Sequence, residues 1–403
     1  MRIFSRPVVA DTALPVIGAN ASTETLALYR YLRWLKGRPC VIWGVSDRLD
    51  IETPLGRMKE SRTAFTTQTG RVPALLQVEY HDSNWTTGWT GGWTGGASGT
   101  GTPADGPANT AAEISAALTA GVKGIAVNVH MGNPVTGALS RQGQDGGQDG
   151  RPGYQYDRSE SPVAAILNGG AQYAQFTAWL DRFYDWAMAL VYPVGHAHAG
   201  ARVPIIFRPF HECNGVTFWW AGSDRRSDLK TVWQQMVDYL KAKAPALTNV
   251  LFAMHMDSGD ATMLQNWDLW YPGNSYVDGL AWSRYDNTTG NDGTSTYARL
   301  NDTDGMMDLA YSLAQATAPT KVLMVMETGY TNDDTGNLWD QRVANVATTR
   351  YPMLSAYFTW RCAAVGSSTL RWGPGSADSA ARKASAAAAV LDPNVITADR
   401  CPL

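Results

Sequence analysis

The sequence predicts an α/β protein, a (β/α)8 barrel, built as one domain over residues 1–403. Three observations carry that expectation. Eight short apolar runs recur along the chain, each ending in polar or aromatic residues. Segments with a helical repeat lie between them. Two long Gly-rich connections follow the second and third runs.

The runs are CVIWGV from Cys40, ALLQVEY from Ala74, GIAVNVH from Gly124, PIIFRPFHE from Pro204, NVLFAMHM from Asn249, GLAWSRYD from Gly279, KVLMVMET from Lys321 and SAYFTWR from Ser355. Most are nearly continuous in Val, Ile, Leu, Phe and Ala, the pattern of parallel strands covered on both faces. Between them, Leu229, Val232, Trp233, Met236, Val237 and Leu240 make a stripe with a period of about 3.6 residues, with Asp228 placed to cap it. AQYAQFTAWLDRFYDWAMAL, GMMDLAYSLAQA and NLWDQRVANVATTR read the same way, and an Ala-rich helix closes the chain from about Ser376 to Val390. A helix near Glu24 to Leu35 precedes the first strand. Strands alternating with helices make a barrel. An open doubly wound sheet is the second choice, and no G-x-G-x-x-G turn follows the first strand to support it.

One long connection, His81 to about Asn109, carries Trp85, Trp89 and Trp93 at every fourth position among glycines. It reads equally as a sugar-stacking loop and as a loop packed on its own tryptophans. The other runs from Met131 to about Gly170. Both would sit on the carboxyl-terminal face, where barrels of this kind keep their chemistry.

Composition excludes several classes. Hydrophobic residues make up 44% and charged residues 17%, with a formal net charge of -3, so the chain is globular and has no basic surplus for nucleic acid. No apolar run reaches the roughly 18 residues of a membrane span. Trp (16) and Tyr (17) outnumber Phe (9), a bias toward flat rings with a polar handle that suits sugars and large cores alike. Four cysteines are too few for a disulfide framework; Cys213 and Cys362 fall at strand ends as buried thiols, and Cys40 with Cys401 could tie down the C-terminus. The N-terminus lacks an apolar stretch adequate for a secretion signal, so localisation stays open.

The chemistry concentrates in Val203 to Gly222. An apolar strand ends in Arg208, Pro209, Phe210, His211 and Glu212, with Phe218, Trp219 and Trp220 close behind. An aromatic wall desolvates a carboxyl and raises its pKa, as a general acid requires; a structural Glu paired with Arg208 is the competing reading. A second apolar strand ends in Glu327. Two carboxylates at one rim, after the fourth and seventh strands, are what glycoside hydrolysis needs across the scissile bond. A gap of about 5–5.5 Å gives retention of configuration and about 6.5–9.5 Å gives inversion.

RPFHECNG followed by FWW resembles the acid/base signature of glycoside hydrolase family 26, whose best-known members are β-mannanases. METGY resembles that family's nucleophile strand, YPGNSYVDGLAWSRYD its sixth-strand region and VNVHMGNP its third-strand end. The resemblance covers strands three to eight. It implies a single (β/α)8 catalytic domain, a retaining double displacement and no metal or other cofactor. Glu212 would be the acid/base and Glu327 the nucleophile. Tyr285 would donate to Glu327, while His130 and His211 would line the sugar site. Trp219, Trp220 and Trp360 would stack on sugars, and Arg361 and Trp372 would bound the glycone side. The substrate implied is a polysaccharide, β-1,4-mannan first, cut at internal bonds by a monomer with no membrane or nucleic-acid partner and used outside the cell. Thr217 stands where the family often has Trp, and Cys213 where it often has Met or Asn. With the two unusual loops, this leaves β-1,3-xylan and mixed-linkage β-glucan open as substrates. A non-catalytic carbohydrate-binding barrel and a metal hydrolase using His81, Asp82, His130, His211 and His255 are the other readings. No H-x-H or H-E-x-x-H spacing marks a metal site among those residues, and the His196–His198 pair precedes the fourth strand on the opposite face.

Overall fold

The computed structural model describes residues 11–46, 54–80, 105–129, 131, 133–135, 161–215, 218–258, 264–286, 306–330, 348–360 and 380–403. Eight parallel strands close on themselves: β1 (Val41–Ser46), β2 (Leu75–Glu79), β3 (Gly124–Asn128), β4 (Ile205–Arg208), β5 (Val250–Asp257), β6 (Gly279–Asp286), β7 (Val322–Tyr330) and β8 (Leu354–Trp360). Each pairs with its neighbours in sequence, and β1 pairs with both β2 and β8, so the sheet is a barrel. Every expected strand is present.

The strands look continuously apolar because each has two buried faces. Ile42, Leu75, Ala126, Ile206, Leu251, Ala253, Ala281, Met324, Ala356 and Phe358 fill the interior. Their alternates, among them Trp43, Val78, Val127, Phe207, Phe252 and Val325, pack outward under the helices. Gly44 belongs to the interior set for a steric reason: a Cβ there would meet the Phe358 ring at 2.4 Å.

A ninth strand, β9 (Val395–Ile396), has no counterpart in the sequence reading. It pairs with the start of β1 and inserts Ile396 into the interior cluster, closing the amino-terminal end of the barrel. The first helix spans Thr23–Leu35 and is capped by Ser22, whose hydroxyl accepts from the Thr25 N–H at 3.2 Å. The cap expected at Asp228 is corrected: the helix starts at Arg226, so Asp228 lies in its first turn, where its charge complements the helix dipole. The last helix covers Ala380–Ala389. Most of NLWDQRVANVATTR, the Trp85–Trp93 stretch and, in the connection from Met131 to Gly170, residues 132 and 136–160 lie outside the described residues. Cys40, Cys213 and Cys401 are buried free thiols, so Cys40 and Cys401 are not bonded to each other; Cys362 is outside the described residues. No helix among the described residues is long and apolar enough to cross a membrane.

Candidate active site

The upper barrel interior changes character. Above the apolar layer, inward positions are Ser46, Gln77, Asn128, Arg208, His255 and Ser283, all buried and polar. Glu327 joins them through a bulge. Val325 pairs with Trp282, but the next register pair is Ser283 with Glu327, leaving Met326 as the extra residue. Strict alternation inward from Met324 and Met326 would send Glu327 outward; the extra residue turns it into the barrel.

Glu212 is placed by a strained turn. Phe210 and Glu212 both have φ of 53°, the left-handed region that non-glycine residues rarely occupy. Such residues cost on the order of 1–3 kcal/mol each and persist where surroundings over-determine them. Here the surroundings do. The Gly215 N–H donates to the Glu212 carbonyl at 2.9 Å. Asn214 and the Asp257 backbone exchange two bonds of 2.8 and 2.6 Å. Trp220 Nε1 donates to the His211 carbonyl at 2.9 Å, and Phe218 stacks on Trp220 at 4.6 Å between ring centres.

The two carboxyl groups sit in unlike environments. Glu212 is half-buried, and loss of water is the largest influence on it. The charges of Asp257 and then Glu327 push the same way, and the carboxyl rises to about 8. A Ser283 hydroxyl bond and the Arg208 charge oppose the rise. Glu327 is 4% exposed and accepts a charge-assisted bond from Arg208 Nη2. The guanidinium therefore goes to Glu327, not to Glu212 as the structural reading of that residue required.

The other expected site residues divide. His211 is 2% exposed, its ring 4.4 Å from Phe218 and 6.1 Å from His255. Trp219 and Trp220 are 1% and 0% exposed, and Trp219 Nε1 donates to the Met131 carbonyl at 2.7 Å. Both indoles are packed into the wall behind Glu212, a position that supports the turn and does not suit the stacking role expected of them. Tyr285 and Trp360 are in β6 and β8, opposite Gly329 and Ser46 in register, and their side chains lie outside the described residues. So do His130, Thr217, Arg361 and Trp372.

Sequence reasoning missed Asp257 and Ser283, and considered His255 only as a metal ligand. Both ring nitrogens of His255 are engaged by Arg208 and Ser283, and among the described residues no group of three His, Cys, Asp or Glu could hold a metal ion. The signal for all three residues was present: each is a polar residue at an inward position of an apolar strand. His196 and His198 lie away from the site beside Tyr192, His196 stacked on its ring and His198 tilted against it.

A closed barrel whose carboxyl-terminal rim holds two neighbouring carboxyls, one raised by loss of water and like charge and one held against a cation, is the layout of a glycoside hydrolase. The family model of Glycosyl hydrolase family 26 matches residues 17–348, and the chain belongs to that family. Over 185 residues, 45% of this chain, the sequence is 29% identical to a mannan endo-1,4-β-mannosidase of Bifidobacterium adolescentis. That stretch covers only 17% of the relative's length. The fold is similar to the catalytic domain of a Bacillus sp. JAMB-750 endo-β-1,4-mannanase, with a TM-score of 0.74 at 23% identity over 96% of this chain and 95% of that one. It is also similar to a Bacteroides ovatus β-mannanase, with a TM-score of 0.70 at 21% identity over 94% and 96% of the two chains.

Proposed function

We propose that this glycoside hydrolase is a retaining endo-β-1,4-mannanase, with Glu212 as acid/base and Glu327 as nucleophile, and that residues 1–403 act as one catalytic domain. The observation that carries the assignment is the opposite setting of the two carboxyls. A group whose pKa is pushed up to about 8 holds a proton at neutral pH and can deliver it to the leaving glycosidic oxygen. A carboxyl paired with a buried guanidinium is suited to attack as the anion.

In the first half-reaction Glu327 attacks the anomeric carbon. The glycosidic C–O bond breaks as Glu212 protonates its oxygen, and a glycosyl ester forms on Glu327. In the second, Glu212 takes a proton from water, the water oxygen attacks the anomeric carbon, and Glu327 leaves as the carboxylate. Neither half-reaction requires a metal. Mannan is first among substrates because the relatives named above bear mannanase names. Tyr285, His130, His211, Trp360, Arg361 and Trp372 remain the proposed sugar-side residues, and the enzyme is taken to act as a monomer on polysaccharide.

The test combines a substrate panel with chemical rescue. Mannan should be cleaved to oligosaccharides faster than β-1,3-xylan or mixed-linkage glucan. Glu327→Ala should be inactive on mannan and, with azide and an activated aryl mannoside, should yield a glycosyl azide of inverted configuration. Near-native turnover by Glu327→Ala sinks the nucleophile assignment. Tight oligosaccharide binding without any product would identify a binding protein, and preferred cleavage of xylan or glucan would move the substrate.

A further inference from the structure

Beneath the rim, Glu212 and Glu327 are joined by a chain of side chains from adjacent strands. Arg208, His255 and Ser283 are 0%, 0% and 1% exposed. The Arg208 guanidinium uses two ends: Nη2 donates to Glu327 and Nη1 meets His255 Nδ1. A guanidinium has only donors and keeps its charge, so Nδ1 must be the accepting nitrogen. Burial, and after it the Arg208 charge, holds the His255 imidazole neutral. Its single proton is therefore on Nε2, which lies 2.8 Å from Ser283 Oγ. Oγ accepts that N–H and is left with its own proton to donate, and a bond from this hydroxyl is among the influences that lower the Glu212 carboxyl. The cation at one end thus fixes the direction of every bond to the other end.

We propose that Arg208, His255 and Ser283 form a positioning relay that keeps a hydroxyl donor aimed at Glu212 and favours its anionic form, the form that must accept a proton from water in the second half-reaction. This rests on the assignment of Glu212 as acid/base given above. No proton passes along the relay; each group keeps its own, and the effect is that of a fixed row of dipoles. The relay acts against strong opposition. Asp257 from β5 and Glu327 from β7 face Glu212 with like charge, while the Ser283 hydroxyl from β6 and the Arg208 charge from β4 support its ionised form. Without the relay, Glu212 would be an effective acid and a poor base.

The decisive variant is Ser283→Ala, which removes the terminal hydroxyl with little change of volume. Ser283→Thr restores a hydroxyl with a residue that suits a strand. The titration of Glu212 is followed in the full-length protein by carbon-13 NMR of labelled glutamate, with the Glu212→Gln spectrum assigning the signal. Ser283→Ala should raise the Glu212 midpoint by about one pH unit, the size expected for losing one hydrogen bond to a charged group. Ser283→Thr should return it. His255→Phe should shift it in the same direction by less, and Ser283→Ala carries the test where that variant does not fold. With an aryl mannoside whose leaving group needs no protonation, Ser283→Ala should lower kcat about tenfold while kcat/KM holds, because only the base-catalysed step is slowed. An unmoved midpoint in Ser283→Ala overturns the relay. So does an equal fall of kcat and kcat/KM that Ser283→Thr does not restore, which marks Ser283 as merely structural. A moved midpoint in a protein whose Glu212→Ala variant keeps full turnover would instead remove the acid/base assignment and leave the relay as a feature without that role.

Discussion

Two carboxyls at opposite ends of this barrel, Asp278 buried and Glu212 half-buried, show how the same desolvation serves different ends. Asp278, in the turn before β6, is 3% exposed and raised to about 6, chiefly by burial. Its oxygens accept the Val16 and Phe252 N–H groups at 2.7 and 2.8 Å, and Lys321 adds a favourable charge. The two N–H bonds and the lysine charge support the anion, and the result is a clamp holding the N-terminal segment onto β5. Glu212 is raised further, to about 8, because the next influences after burial are two carboxylates. Its backbone is strained where that of a clamp has no need to be. Burial alone does not mark a reactive acid; burial with like charge at a strained rim does.

Substitutions can separate the two. The largest effect is expected on activity: Glu212→Ala should lower kcat/KM on mannan by about 10²–10⁴-fold with the fold retained, measured by reducing-sugar release and circular dichroism. Arg208→Met should cost about 3–5 kcal/mol in denaturant unfolding, because it leaves the Glu327 carboxylate buried without its cation. Asp278→Ala should cost about 1–3 kcal/mol for each N–H left unmade, with turnover per folded molecule unchanged; lost turnover would erase the distinction drawn between the two acids.

The smaller effects concern pH. A folded-state pKa above the unfolded value means that the folded protein binds the proton more tightly, so stability falls as pH climbs through the interval between the two. For Glu212 that interval runs from 4.5 to about 8. Glu212→Gln should therefore raise the thermal midpoint relative to the native chain, more at pH 9 than at pH 5. Asp257→Asn removes a like charge from beside Glu212, so the alkaline limb of the kcat/KM profile should move to lower pH. A shift upward would show that Asp257 acts on Glu212 in some other way than through its charge.

The barrel was legible because parallel strands buried on both faces leave eight apolar runs that helical stripes separate. β9 was not, since two residues carry no period; Ile396 matters through where the chain returns, which local sequence does not encode. Glu212 was readable from the aromatic residues behind it. Glu327 was readable as a residue at a strand end, but not as an inward one: alternation from Met324 and Met326 points it away, and only the bulge reverses that. Arg208 was noticed and given the wrong partner, since four positions along the chain separate it from Glu212 whereas 119 separate it from Glu327. The indole rings of Trp219 and Trp220 suggested sugar platforms because composition shows a ring and not which face is covered.

In the proposed mechanism a nucleophile and an acid/base at the rim act in two successive displacements. Proton NMR of the first products released from a β-linked manno-oligosaccharide, recorded before mutarotation, tests it directly. Two successive displacements make the new reducing end appear first as the β-anomer and then drift toward equilibrium. Initial appearance of the α-anomer would mean a single displacement by water, with Glu327 as base, and would contradict it.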